Sequence, residues 1–322
     1  MTPISPLYKF SSVAGALSIL EGGSLWTKSP LDFNDPFEVL PAFDEDRKNE
    51  MVTSRKRFYR SFGVSSGDLV PGGGEENIPV EGFIRLAEIY HDPFFESLYR
   101  QYRVLCFSET CEATLLWSHY GDAHKGIALG FDVAKGDFPL GQKPGGIRVD
   151  YCGDREELKL PIEYYQHAGF KVIESPPDGY ARTVSGMLIQ EADQSARCQE
   201  SLETLLSHKD DAWKYEREIR FLYDVSVPGR DMIRGSQGQD IAAFQPEAVT
   251  EVVFGFRCSV DDVEKLAPVL SKKYPHARLC YVDLHPYKFE VRVHDGDLAR
   301  IRFTQGRRRE NFRMRGDRAI SK

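Results

Sequence analysis

The chain has 322 residues, 41% hydrophobic and 12% aromatic, which is enough apolar material for one large domain or two small ones. Its net charge of −7 excludes a general polyanion binder, and no apolar run approaches the roughly 18 residues that a membrane span needs. Six scattered cysteines lack CxxC spacing, and the N-terminus MTPISPLYKF lacks the pattern of a signal peptide, so the expected setting is the cytoplasm with reduced thiols.

Leu7 to Phe10 reads as a first strand. Ser11 and Ser12 offer an N-cap for a helix over Val13–Leu20, which Gly22-Gly23 ends. Leu25-Trp26 is extended, and residues 29–38 (SPLDFNDPFE) form a turn-rich loop. Residues 44–61 and Val80 to Tyr102 read as helical, around a Gly-, Ser- and Pro-rich loop over 62–79. Arg103–Ser108 is a strand, Glu109–Tyr120 has turn and helix character, and Gly126–Val133 and Ile147–Tyr151 are further strands. Val184–Ala212 reads as a long polar helix or helix pair.

Trp213 to Arg220 (WKYEREIR) is the most informative stretch and reads as a strand that continues into Phe221–Val225. Alternation then puts Lys214, Glu216, Glu218 and Arg220 on one face. Two carboxylates between two cations form either a candidate site or a solvated face with cross-strand charge pairs. Pro228–Phe244 reads as a loop and Glu251–Phe256 as a strand. Ser259 with Asp262 caps a helix striped by Val263, Leu266 and Leu270, in which Pro268 is expected to place a kink. Ala277–Leu284 and Phe289–His294 are closing strands.

The irregular order of strands and helices predicts an α+β fold around a mixed, mostly antiparallel sheet with helical insertions. Residues 1–299 read as a single domain, with the helical insertion at about 155–212. Residues 300–322 carry eight Arg and one Lys against two acids; subtracting that local +7 from the chain's −7 leaves −14 for residues 1–299. This basic tail is expected to be flexible, and it is a candidate contact to nucleic acid.

Three blocks carry the candidate chemistry: Lys9 with the 33–38 loop, Ser108 with Trp117–Tyr120, and the Glu216/Glu218/Arg220 stretch. Trp117 and Tyr120, three apart on a helix, are either core or a stacking wall for a flat ring. His119 and His124 are five apart, which does not suit a helical zinc pair. No P-loop, dinucleotide-binding glycine motif or Gly-x-Ser-x-Gly elbow is present.

The blocks SPLDFNDPFE (29–38), CFSE (106–109), LLWSHYGDAHKGIALGFD (115–132), WKYEREIRF (213–221) and EVVFGFRCS (251–259) resemble a widespread bacterial family, domain of unknown function 2971. That family has no settled biochemical role. The order of the blocks is also similar to ADP-ribosyltransferases: a basic residue on a first strand, a Ser- or Tyr-bearing element, then a strand with Glu-x-Glu. This second resemblance implies split sheets around a cleft that binds NAD as substrate, with Glu218, Glu216 and Tyr120 as catalytic residues. It implies Lys9, Asn34, Asp35, Ser108, Trp117, His119 and Arg220 as residues that hold the NAD. A glutamate would stabilise an oxocarbenium-like transition state as nicotinamide leaves. The expected function is therefore an NAD-using transferase or glycohydrolase, as a toxin or phage-defence effector. The alternatives are a metal-dependent nuclease or nucleic-acid-binding effector, in which the Glu pair holds a divalent cation, and a non-enzymatic interaction protein.

Overall fold

The computed structural model describes residues 6–39, 102–136, 138–141, 145–153, 203–225, 233–234 and 240–308. The chain divides into two compact units. The first comprises Met1–Lys28, Arg103–Val149 and Ala212–Lys322, and the second Ser29–Tyr102 and Asp150–Asp211.

The first unit is built on an eight-stranded sheet. Its members are β1 (Leu7–Ser11), β3 (Tyr102–Ser108), β4 (Ile127–Phe131), β5 (Ile147–Arg148), β8 (Glu218–Asp224), β11 (Val249–Phe254), β12 (Arg278–Leu284) and β13 (Val291–Asp295). The strands run in the order β13-β12-β11-β4-β1-β3-β8-β5. Pairing is antiparallel between β1 and β4, β4 and β11, β12 and β13, and β5 and β8, while β11 and β12 are parallel. With its helices, this sheet makes the fold α+β. Three short strands, β2 (Ser24–Trp26), β9 (Ile233–Arg234) and β10 (Asp240–Ala243), form a second sheet. The stretch read as a loop over 228–244 thus holds two strands. They are too short to display alternation, and it is β2 that recruits them, with Ile241 opposite Trp26.

Alternation along the strands creates two apolar faces. On one, Leu105, Phe107, Leu129, Phe131, Ile219 and Phe221 meet helix α1 (Val13–Gly22) and a later helix, Val260–Lys273. Ser12 caps α1 by accepting from Gly15 N, and Gly23 ends it at φ 60°. The later helix starts with Ser259 accepting from Asp262 N and runs through Pro268. The Tyr274 hydroxyl donates to Leu20 O at 2.8 Å, tying the two helices together. On the other face, Tyr8, Cys111, Trp117, Val253 and Val282 form a smaller core under helix α2 (Thr114–His119).

Residues 298–308 are helical. Here Gln305 Nε2 donates to Gly255 O at 3.0 Å, and Arg308 lies 4.3 Å from the centroid of the Phe256 ring. The basic run expected to be flexible therefore begins inside a packed helix, because its arginines find backbone carbonyls and aromatic faces. Residues 309–322 lie outside the described residues.

In the second unit, β6 (Asp150–Cys152) pairs in parallel with β7 (His208–Asp210). Residues 208–210 are therefore extended rather than helical. Val149 divides the strand expected over 147–151, its N–H donating to Glu218 O at 3.0 Å. The helices expected over 44–61 and 80–101, and most of the 155–212 insertion, lie outside the described residues.

Candidate functional site

Lys9, Ser108, Glu218 and Arg220 lie on three adjacent strands, β1, β3 and β8, while Trp117, His119 and Tyr120 lie on or at the end of α2 and Glu216 lies just before β8. The strand expected from Trp213 does not form there. Asp211–Glu216 is instead a 3-10 helix, Arg217 takes φ 45°, and β8 starts at Glu218. The left-handed residue resets the alternation, so Glu216 and Glu218 do not share a strand face. Each turns to its own partner.

Glu216 is 4% exposed, and its Oε1 accepts from the Tyr120 hydroxyl at 2.7 Å. Its carbonyl accepts from Ser108 Oγ at 2.6 Å, and the same Oγ accepts from Thr110 N at 3.1 Å. Ser108 is thus a structural clip between the end of β3 and the 3-10 helix. The Arg217 carbonyl accepts from Glu109 N at 3.0 Å, which fixes the strained residue in place.

Glu218 pairs with Arg220 at 2.8 Å, with side-chain exposures of 8% and 0%. Sharing one face of β8, the two compensate each other's burial. Beside them, Lys9 Nζ donates to Cys106 O at 2.9 Å. Burial lowers the Lys9 pKa, and the nearby Glu218 charge opposes that shift. Burial also raises the Cys106 thiol, helped by the Glu218 charge.

Trp117 is fully buried; its indole N–H donates to Cys111 O at 2.7 Å and its ring meets Phe10 edge-on at 5.0 Å. It is a core residue and offers no stacking wall. A different aromatic group surrounds the exposed His119, whose neighbours are half-buried. His119 has ring centroids 6.3 Å from each of Tyr120, Trp213 and Tyr215. Trp213 and Tyr215 entered the sequence reading only as strand residues, and the 3-10 helix is what gathers them.

Asn34 and Asp35 belong to the second unit. Asn34 is exposed in a turn, and Asp35 Oδ1 accepts from Phe37 N at 2.9 Å, closing that turn. The same loop carries Glu38, which pairs with Lys209 at 3.0 Å, both side chains 3% exposed. Nothing in the sequence pattern of 208–210 pointed to this pair.

After α2 the chain makes a left-handed turn, with Asp122, Ala123 and His124 at φ 48°, 51° and 70°. His124 N donates to Trp117 O at 3.0 Å, and Arg257 N donates to His124 O at 2.8 Å. His124 Nε2 lies 3.0 Å from Ser118 Oγ, while its buried Nδ1 has no hydrogen-bond partner.

A cavity of about 350 Å³ opens on the smaller apolar face, against Tyr8, Thr110, Cys111, Glu251 and Arg278. The Tyr8 hydroxyl donates to Glu251 Oε2 at 2.8 Å, and Arg278 bridges Glu251 and Asp295. Burial pushes the Cys111 thiol up to about 12, which leaves it protonated at neutral pH.

Residues 116–221 match the model of a family described as "Protein of unknown function (DUF2971)", which bears out the first of the two family resemblances. The matched stretch runs from α2 into β8 and carries Trp117, His119, Tyr120, Glu216, Glu218 and Arg220. No curated protein and no solved structure matches the chain.

Proposed function

We propose that the protein is an NAD-cleaving enzyme of the ADP-ribosyl-transfer type. One observation carries this reading. Lys9, Ser108, Glu218 and Arg220 come from separate parts of the chain yet lie on three neighbouring strands, and Ser108 and Tyr120 both bond to Glu216 just before β8. Such convergence is what a preorganised site requires.

In this reading Glu216 is the carboxylate that faces developing positive charge. Tyr120 orients it, and the His119–Trp213–Tyr215 group beside it suits a flat ring. The charge of Glu218 is engaged by Arg220, so this pair holds β8 and keeps its field fixed near the site. Bond cleavage would transfer the ribosyl carbon from nicotinamide to water or to an acceptor nucleophile.

Nicotinamide release from NAD, followed by chromatography, tests the proposal. Glu216→Gln is expected to lower the rate by roughly 10²–10³, the scale for loss of one preorganised electrostatic group. Absence of release, together with absence of labelled ADP-ribose on protein or nucleic acid, would reject it.

A second reading, a non-enzymatic interaction protein, draws on the closed Glu218–Arg220 pair, whose buried charges already answer each other. It predicts no NAD turnover at all, so the same assay separates the two. For the nuclease reading, no group of three His, Cys, Asp or Glu side chains converges as metal ligands among the described residues.

A further inference from the structure

We infer that β13 is a docking edge for a second copy of this chain, joined antiparallel about a two-fold axis at Val291. β13 ends the eight-stranded sheet, and among the described residues no strand pairs with its outer edge. The loop that leads into it carries Tyr287 and Phe289, 92% and 106% exposed. Two fully exposed aromatic side chains, two residues apart beside an open sheet edge, are costly to leave in water.

The register follows from hydrogen-bond parity. His285 N donates to Glu290 O and Gly296 N donates to Leu279 O, both at 2.9 Å. Backbone groups of even-numbered residues thus turn inward to β12. Those of Val291, Val293 and Asp295 turn outward, because antiparallel strands alternate the two directions. A partner strand must therefore place odd residues opposite odd ones.

Centring on Val291 satisfies this and sets Val291 opposite itself. Arg292 then faces Glu290 of the second copy, twice over by symmetry, and Val293 comes opposite the bend that carries Phe289. Each cross-strand pair is complementary. Centring one residue further on, at Arg292, keeps odd residues opposite odd ones but places Arg292 opposite its own copy, which is repulsive. The edge thus carries a self-complementary charge pattern, as an isologous two-fold interface requires. A single strand pair with flanking aromatics is a small interface, so association is expected to be concentration-dependent.

The test is sedimentation equilibrium on the full chain across a dilution series, read without NAD and so independent of the enzymatic proposal. A monomer–dimer equilibrium is expected. Arg292→Glu alone and Glu290→Arg alone each place like charges face to face and should weaken the dimer about tenfold or more. The double variant Arg292→Glu/Glu290→Arg restores the pairing and should recover the wild-type dissociation constant. Both positions are exposed, and circular dichroism of each variant verifies that it folds. A chain that stays monomeric throughout, single variants that dimerise like wild type, or a double variant that fails to recover would each overturn the inference.

Discussion

The Tyr120 hydroxyl donates a 2.7 Å hydrogen bond to Glu216 Oε1, joining the end of α2 to the 3-10 helix across 96 residues of sequence. Hydrogen bonds to charged groups contribute about 1.5–3 kcal/mol. Tyr120→Phe is expected to destabilise the fold by about that range, read from urea unfolding. In a Glu216→Gln background the same substitution should cost distinctly less, because the charge that strengthens the bond is gone. Equal losses in both backgrounds would mean that the two residues are not coupled.

Glu218 and Arg220 make a sharper prediction. Arg220 is fully enclosed and Glu218 nearly so. Glu218→Gln leaves the guanidinium facing a neutral amide, and breaking such a buried pair costs about 3–5 kcal/mol. Removing both charges with Glu218→Gln/Arg220→Met should recover much of that loss. Denaturant midpoints of the two variants decide it. A double variant as unstable as the single one would show that Arg220 stabilises through its other contacts.

β1, β3 and β8 from Ile219 onward are legible in the sequence as short, largely apolar runs of strand-forming residues, because the sheet carries a core on each face. The helices capped by Ser12 and Ser259 were legible because both caps are side-chain chemistry written in the residue type. The approach of Lys9, Ser108 and the two glutamates was legible only as an ordered set of blocks. What alternation could not reveal was Arg217 at φ 45°, since an arginine gives no sign of a left-handed backbone. That one residue separates Glu216 from Glu218 and sends them to different partners. Trp117 and Tyr120 were assigned to one helix face, yet Trp117 fills the core and Tyr120 reaches Glu216. The helix ends at His119, and Tyr120 lies beyond it.

The turn after α2 is packed backbone against backbone. A Cβ on Gly126 would meet Ser11 O at 2.1 Å, and one on Gly255 would meet His124 O at 2.4 Å. Neither contact can relax by a side-chain rotation. Gly126→Ala and Gly255→Ala should each destabilise by at least the roughly 1–3 kcal/mol typical of overpacking. Gly306→Ala is the control. Its Cβ would meet nothing closer than Val260 Cγ2 at 3.9 Å, in a helix. Alanine there should stabilise by about 0.5–1 kcal/mol. Thermal unfolding of the three variants tests the contrast.

The same turn sets a pH dependence through His124. Burial lowers its pKa below the ordinary 6.5, and the Arg257 charge adds to the shift. The unfolded chain therefore takes up a proton first as pH falls. Stability from this group is fully present above about 6.5 and declines as pH drops from there through the lower, folded value. His124→Gln keeps a polar group beside Ser118 and cannot titrate, so its stability should fall less than that of wild type between neutral and mildly acid pH. NMR titration of the His124 ring should place its midpoint below the ordinary 6.5. A midpoint at or above 6.5, or a wild-type and variant difference that does not change with pH, would contradict the buried, partnerless Nδ1 as the cause.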